Sequence, residues 1–235
     1  MVKIENSNFL LTGGSAGIGK ATAKKLIKNG GKVAITGRDE SKLKSVAEEI
    51  GVLPIHADVA NQEDVEKTYK IFFNEFDKLD CLINNAGIGG TRAEVTGLDW
   101  DNFINVYSVN VFGAAMMAKK ASQTFIKQNY GNIVNIASTA ATKGYPYGTV
   151  YASSKFALRG MTECWRAELR KHNVRVILIN PSEVVTAFGD PDRVERKEVS
   201  KKLRSEEIAH TIVTTLEMDN RGFIPEVTIW ATNPF

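Results

Sequence analysis

Cysteine is nearly absent: Cys81 and Cys164 are the only two in 235 residues. Two thiols so far apart, each set in an apolar stretch, suit reduced and buried side chains. They exclude a disulfide-stapled scaffold or a cysteine-ligated metal site. A reducing cytoplasm is the expected setting. Long hydrophobic runs are missing too, and no segment is apolar over the ~20 residues a bilayer span needs. Residues 1–7 are short and polar and lead straight into a strand-like run, unlike a secretory signal or transit peptide. Charge of one sign is not in excess: 30 Lys and Arg against 27 Asp and Glu leave +3. That balance disfavours a nucleic-acid footprint or a polybasic membrane patch. Low-complexity tracts, linkers and internal repeats are also lacking, and the partner class that remains is a small molecule.

What is present is 43% hydrophobic residues, enough for one compact domain, 1–235, with a continuous core. Short apolar runs at 9–11, 32–36, 53–56, 81–83, 132–136, 175–179 and 223–230 alternate with segments of helical period. Those segments cover 16–29, 41–50, 62–76, a long stretch after Asp99, 150–171 and a stretch after Ser205. The alternation predicts an α/β fold, a Rossmann-like doubly wound parallel sheet of roughly seven strands flanked by helices. The stretch 186–204 is polar, basic and without period, and reads as a mobile excursion that carries substrate specificity, or as a solvated surface helix.

The first strand runs into Thr12-Gly13-Gly14-Ser15-Ala16-Gly17-Ile18-Gly19 and then a helix. Glycines there permit a tight turn and a close approach of backbone to a pyrophosphate, and the helix start offers free N–H groups. The same glycines also suit close helix–strand packing. The second strand ends Gly37-Arg38-Asp39, where an adenosine ribose lies in such folds. Gly37 leaves room and Arg38 presents a planar cation to a 2′-phosphate, which favours NADP(H) over NAD(H). Asp39 stands where an acidic ribose ligand is often found, yet it also precedes a helix and reads as its cap.

Tyr151 and Lys155 are four residues apart, hence on one helix face. An adjacent ammonium and a nicotinamide cation both favour the phenolate, which makes Tyr151 a candidate acid or base. Ser138 follows a strand at the sheet's carboxyl edge, from which its hydroxyl reaches a substrate carbonyl. Asn110 falls inside a long helical pattern that does not favour asparagine. Taken alone, Ser138 also fits a strand-end cap and Asn110 a helix kink.

Together, T-G-x-x-x-G-x-G, Asp58-Val59, Asn84-Asn85-Ala86-Gly87, Asn110, Ser138, Tyr-x-x-x-Lys and Asn180-Pro181 resemble the short-chain dehydrogenase/reductase family in order and spacing, over nearly the whole chain. Among its members, the 3-oxoacyl-[acyl-carrier-protein] reductases and carbonyl reductases are similar. The resemblance implies an NADP-dependent oxidoreductase acting on a ketone or secondary alcohol, with 3-oxoacyl-thioester reduction first and a generic carbonyl reductase or a hydroxy-acid or alcohol dehydrogenase as the alternative. It implies that Ser138 orients the carbonyl, Tyr151 transfers the proton, Lys155 binds the nicotinamide ribose and acidifies Tyr151, and Asn110 holds a relay water. Gly13, Ser15, Gly17, Ile18, Gly19, Arg38, Asp58, Val59, Asn85, Ala86, Gly87, Pro181 and Thr186 would line the cofactor channel, while Asn84 or Asn85 also fits a purely structural role at the strand end. Ser182 stands where the family usually has glycine, and Asn129 and His172 stand where acyl-carrier docking residues fall, with Lys127 and Lys171 beside them. Homodimers or homotetramers through the long helices are expected. A catalytically silent dinucleotide sensor is the alternative from another class, and the Asn-Ser-Tyr-Lys set argues against it.

Overall fold

The computed structural model describes residues 3–188, 197 and 199–234. Seven strands form one sheet: β1 (Asn8–Thr12), β2 (Lys32–Gly37), β3 (Leu53–His56), β4 (Cys81–Asn84), β5 (Gly131–Ile136), β6 (Val174–Pro181) and β7 (Glu226–Ile229). Their order is β3-β2-β1-β4-β5-β6-β7, and every pairing is parallel. Strands such as β1 and β6 are buried at every residue, as expected where helices cover both faces of a parallel sheet. The expected single-domain doubly wound architecture is the observed one.

The connecting helices are α1 (Gly17–Lys28), α2 (Glu40–Ile50), α3 (Gln62–Glu75), α4 (Trp100–Tyr107), α5 (Ala114–Gln128), α6 (Thr149–Leu169) and α7 (Ser205–Leu216). One core slab packs Leu26 of α1, Val46 of α2 and Ile208 and Ile212 of α7 against the sheet. The other packs Val65 and Phe72 of α3, Met117 and Phe125 of α5 and Leu169 of α6 against the opposite face. Asp39 caps α2, accepting from the Lys42 N–H at 2.9 Å. Asn61 and Asp99 cap α3 and α4 in the same way.

The chain reverses its direction of winding between β1 and β4, opening a crevice at their carboxyl ends. Two buried asparagines face each other across β4 and β5. Asn84 Nδ2 donates to Asn135 Oδ1 at 3.0 Å, and Asn135 Nδ2 donates to Thr162 Oγ1 of α6 at 2.8 Å.

Three expectations are corrected. The long helix after Asp99 is interrupted by a π-helical segment, Ser108–Gly113, between α4 and α5, and within it the Asn110 side chain bonds outside the helix. Cys81 is buried but Cys164 is exposed, since it lies on the outward face of α6 while residues such as Leu158 and Thr162 face inward. The last strand is shorter than the apolar run 223–230 and ends before the exposed Trp230. Of the aperiodic stretch 186–204, residues 189–196 and 198 lie outside the described residues; near its end, Leu203 pairs with Val184 in an isolated parallel bridge. No helix among the described residues is long and apolar enough to cross a membrane.

Candidate active site

The crevice floor is the turn between β1 and α1. Gly13 (φ 68°) and Gly17 (φ 51°) are left-handed, which glycine adopts without strain. A Cβ on Gly19 would collide with the Gly13 carbonyl and sit 2.6 Å from Asn85 Nδ2. Asn85 spends its amide on this turn, donating to the carbonyls of Thr12 (3.0 Å) and Gly13 (2.9 Å). Thr12 Oγ1 in turn accepts the N–H groups of Asn85 and Ala86, each at 3.1 Å. The turn after β1 and the Asn84–Gly87 segment after β4 are thus one bonded unit, with Ser15, Ile18 and Ala86 half-buried along it.

No side chain caps α1: its N-cap is Ala16, and its first turn carries no acidic residue. A helix start so built presents bare N–H groups and positive dipole to an anion. With the glycines that clear its approach, this arrangement fits the pyrophosphate of a dinucleotide. At the tip of β2, a Cβ on Gly37 would stand 3.4 Å from Ser15 Oγ. Arg38 is half-exposed, with Nη1 3.9 Å from Asp58 Oδ2, so cation and carboxylate share this end of the crevice. Asp58 Oδ1 accepts the Ala60 N–H at 2.9 Å. Val59 is only 7% exposed and lies so near the π segment that a Cβ on Gly113 would be 2.9 Å from its Cγ2. Asp39, occupied as a helix cap, is absent from this cluster.

At the other end, α6 brings Tyr151 and Lys155 together, with Lys155 Nζ 5.7 Å from the Tyr151 ring centre. Lys155 is 3% exposed and donates to the Ile136 carbonyl at 3.0 Å. Burial pulls its ammonium down from 10.5 to about 8. Burial likewise pushes the Tyr151 phenol up to about 12, while the neighbouring Ser138 side chain works in the opposite direction. The phenol of Tyr145 adds to the upward shift. Ser138 caps a short 3-10 turn, Thr139–Ala141, accepting the Ala140 N–H at 3.1 Å.

Asn110 is 1% exposed and acts as a bracket. It accepts the Ile88 N–H at 2.9 Å, donates to the Ile88 carbonyl at 2.9 Å and donates to Ser154 Oγ at 3.0 Å. It thereby ties the loop after β4 to α6. A Cβ on Gly87 would stand 3.3 Å from Asn110 Oδ1 and 3.5 Å from Lys155 Nζ, so Gly87 lies directly beside both. Asn110 of the π segment, Ser138 after β5, and Tyr151 and Lys155 of α6 thus come from three segments that converge on one end of the crevice.

The family profile described as short chain dehydrogenase matches residues 7–197. The chain belongs to the short chain dehydrogenase family. An uncharacterized oxidoreductase of Staphylococcus aureus is 31% identical over 236 residues, covering 97% of this chain and 99% of that protein. An alcohol dehydrogenase from Thermococcus sibiricus, solved with 5-hydroxy-NADP, superposes with a TM-score of 0.89 at 26% identity, covering 97% of each chain. A 3-ketoacyl-(acyl-carrier-protein) reductase from Brucella melitensis, solved with NADH, gives 0.89 at 26% identity, covering 99% of this chain and 100% of that one.

For a short chain dehydrogenase, Ser182 is the unusual residue after Pro181, and the structure absorbs it without strain. Its backbone is not left-handed, and its N–H donates to the Ile229 carbonyl at 2.9 Å. Thr186 is 8% exposed and faces the glycine turn, where a Cβ on Gly17 would be 3.2 Å from its Cγ2. Its Oγ1 accepts the Phe188 N–H at 3.1 Å. Sequence reasoning missed Thr12, Ser154, Tyr145 and Phe188. Thr12 heads the glycine motif and Ser154 lies inside Tyr-x-x-x-Lys, so position alone marked those two. Tyr145 and Phe188 sit on loops with no period, and nothing in their spacing marked them. Asn129 caps α5 in a left-handed conformation and His172 ends a 3-10 turn after α6.

Proposed function

We propose that this oxidoreductase interconverts a ketone and a secondary alcohol with NADP(H) as the preferred dinucleotide. The observation that carries the reading is the convergence of Ser138, Tyr151 and Lys155 at one end of a crevice whose other end is an uncapped helix start behind a glycine turn. A bound nicotinamide supplies hydride to a carbonyl carbon in reduction and accepts one in oxidation. Ser138 orients the carbonyl oxygen, and Tyr151 gives that oxygen its proton, leaving a secondary alcohol. With its phenol raised to about 12 by burial, Tyr151 is protonated at neutral pH and has a proton to give. Lys155 holds the ribose and offsets the phenolate charge once the proton has left. Asn110 acts through Ile88 and Ser154 as a positioning residue.

Gly37 and Arg38 support NADP(H): the first leaves space and the second offers the planar cation that suits a 2′-phosphate. The channel of Gly13, Ser15, Gly17, Ile18, Gly19, Asp58, Val59, Asn85, Ala86, Gly87, Pro181 and Thr186 would hold the remainder. 3-Oxoacyl thioesters are a substrate class to test, on the likeness to the Brucella reductase; with Asn129 and His172 at the docking positions, an acyl carrier protein has little to grip. Exposed Trp100, Ile104 and Phe112 support a homodimer or homotetramer through this helical face.

The test is oxidation of NADPH and NADH by the purified protein with simple ketones and 3-oxoacyl thioesters. Tyr151→Phe should keep dinucleotide binding and lose ~10²–10⁴-fold in turnover, the range of a general acid. Undiminished turnover in that variant would refute the role given to the phenol.

A further inference from the structure

Three loops at the carboxyl edge meet around the Tyr151 phenol. From the loop after β6, Phe188 tilts against Tyr151, with ring centres 5.7 Å apart. A Cβ on Gly89, in the loop after β4, would be 3.4 Å from Phe188 Cε1. From the loop between β5 and α6, Tyr145 lies close enough to Tyr151 that its own phenol raises the Tyr151 pKa. The ring of Tyr145 is held by a turn that glycine alone permits: a Cβ on Gly148 would be 2.5 Å from Tyr145 Cζ. That turn is closed by the Gly148 N–H donating to the Tyr145 carbonyl at 3.1 Å, and it places Tyr147 at φ 63°. A bulky residue held left-handed is strained, and such strain persists where the surrounding structure enforces it.

Onto this ring the loop after β4 lays Arg92, its guanidinium carbon 5.8 Å from the Tyr145 ring centre. Arg92 is exposed and makes no ion pair with a carboxylate among the described residues. Three other exposed arginines are paired: Arg38 faces Asp58, Arg204 faces Glu207 and Arg221 faces Asp219. A guanidinium stacked on a ring keeps its N–H edges free for a planar anion, because stacking uses only the face. The mouth of the site therefore combines apolar rings with one preoriented cation that no described carboxylate neutralises.

We propose that Arg92, carried by Tyr145, binds a carboxylate of the substrate, so that the preferred substrate is an oxo acid or the corresponding hydroxy acid. This rests on the ketone and alcohol reading of the same site and names its substrate class. Tyr145 is the positioning residue. A mere strut between two loops would bear equally on every substrate, whereas carboxylate recognition discriminates by charge.

The experiment measures kcat/KM for 2-oxo-, 3-oxo- and 4-oxopentanoate and for the methyl ester of each, in the wild type, Arg92→Gln and Arg92→Lys. In the wild type the best acid should exceed its ester by about 10- to 100-fold, the scale of a bidentate charged pair. In Arg92→Gln that ratio should fall to about one, with the change in KM rather than kcat. Arg92→Lys should keep part of the ratio, since it retains charge without the fork. Acids no better than their esters in the wild type, or a ratio that survives Arg92→Gln, would overturn the assignment and leave the ketone reading standing. Turnover of neither acids nor esters with either dinucleotide would overturn the ketone reading itself.

Discussion

Lys155 pays for its function with stability, and Lys155→Met should expose the cost. An unfolded lysine titrates near 10.5, whereas the buried ammonium titrates at about 8. Between those two pH values the unfolded chain binds more protons than the native one, so native stability rises with pH across that window and is flat below it. At pH 7 the folded protein carries the full penalty, about 3 kcal/mol for this displacement. Methionine is of similar length and uncharged, and it forfeits only the hydrogen bond to Ile136, worth about 1 kcal/mol. Lys155→Met should therefore be more stable than the wild type by about 1–2 kcal/mol at pH 7, yet nearly inactive. At pH 10 the wild type has recovered most of its penalty, and the advantage should vanish or reverse. Urea unfolding followed by tryptophan fluorescence at the two pH values measures both. A wild type more stable at pH 7, or an advantage equal at both, would refute the reasoning.

Two further outcomes are expected. Arg38→Asp should raise the Kd for NADPH about 10- to 100-fold, the scale of a lost charge-assisted pair, and improve NADH binding; an unchanged preference would remove Arg38 from the 2′-phosphate. Gly19→Ala drives a methyl into the Gly13 carbonyl and to 2.6 Å from Asn85 Nδ2, so it should cost about 1–3 kcal/mol and weaken dinucleotide binding. Unaltered urea midpoint and affinity would show that the turn adapts.

The alternation of apolar runs and helical segments was legible because the strands are short and β1, β2, β4, β5 and β6 are largely buried, so hydrophobicity marks them. The glycine turn and the Tyr151–Lys155 spacing were legible because each obeys local geometry. The π segment was not: a few residues of wider period do not disturb a helical pattern, and only the ill-placed Asn110 hinted at it. The burial that raises the Tyr151 phenol was not legible either, since sequence shows the cation one turn away but not the packing around the ring. Arg92 and Tyr145 meet only in space, 53 positions apart in sequence, and no local signal joins them.

The facing pair Asn84 and Asn135 has a consequence for assembly. Runs of Ile, Val and Leu are nearly interchangeable between two apolar slabs, so β4 and β5 would slide past each other at little loss. Two amides that find each other only in one alignment, Asn84 opposite Asn135, act as a pin through the sheet. By fixing the relative height of the two strands, they level the tips from which Asn85 and Ser138 project.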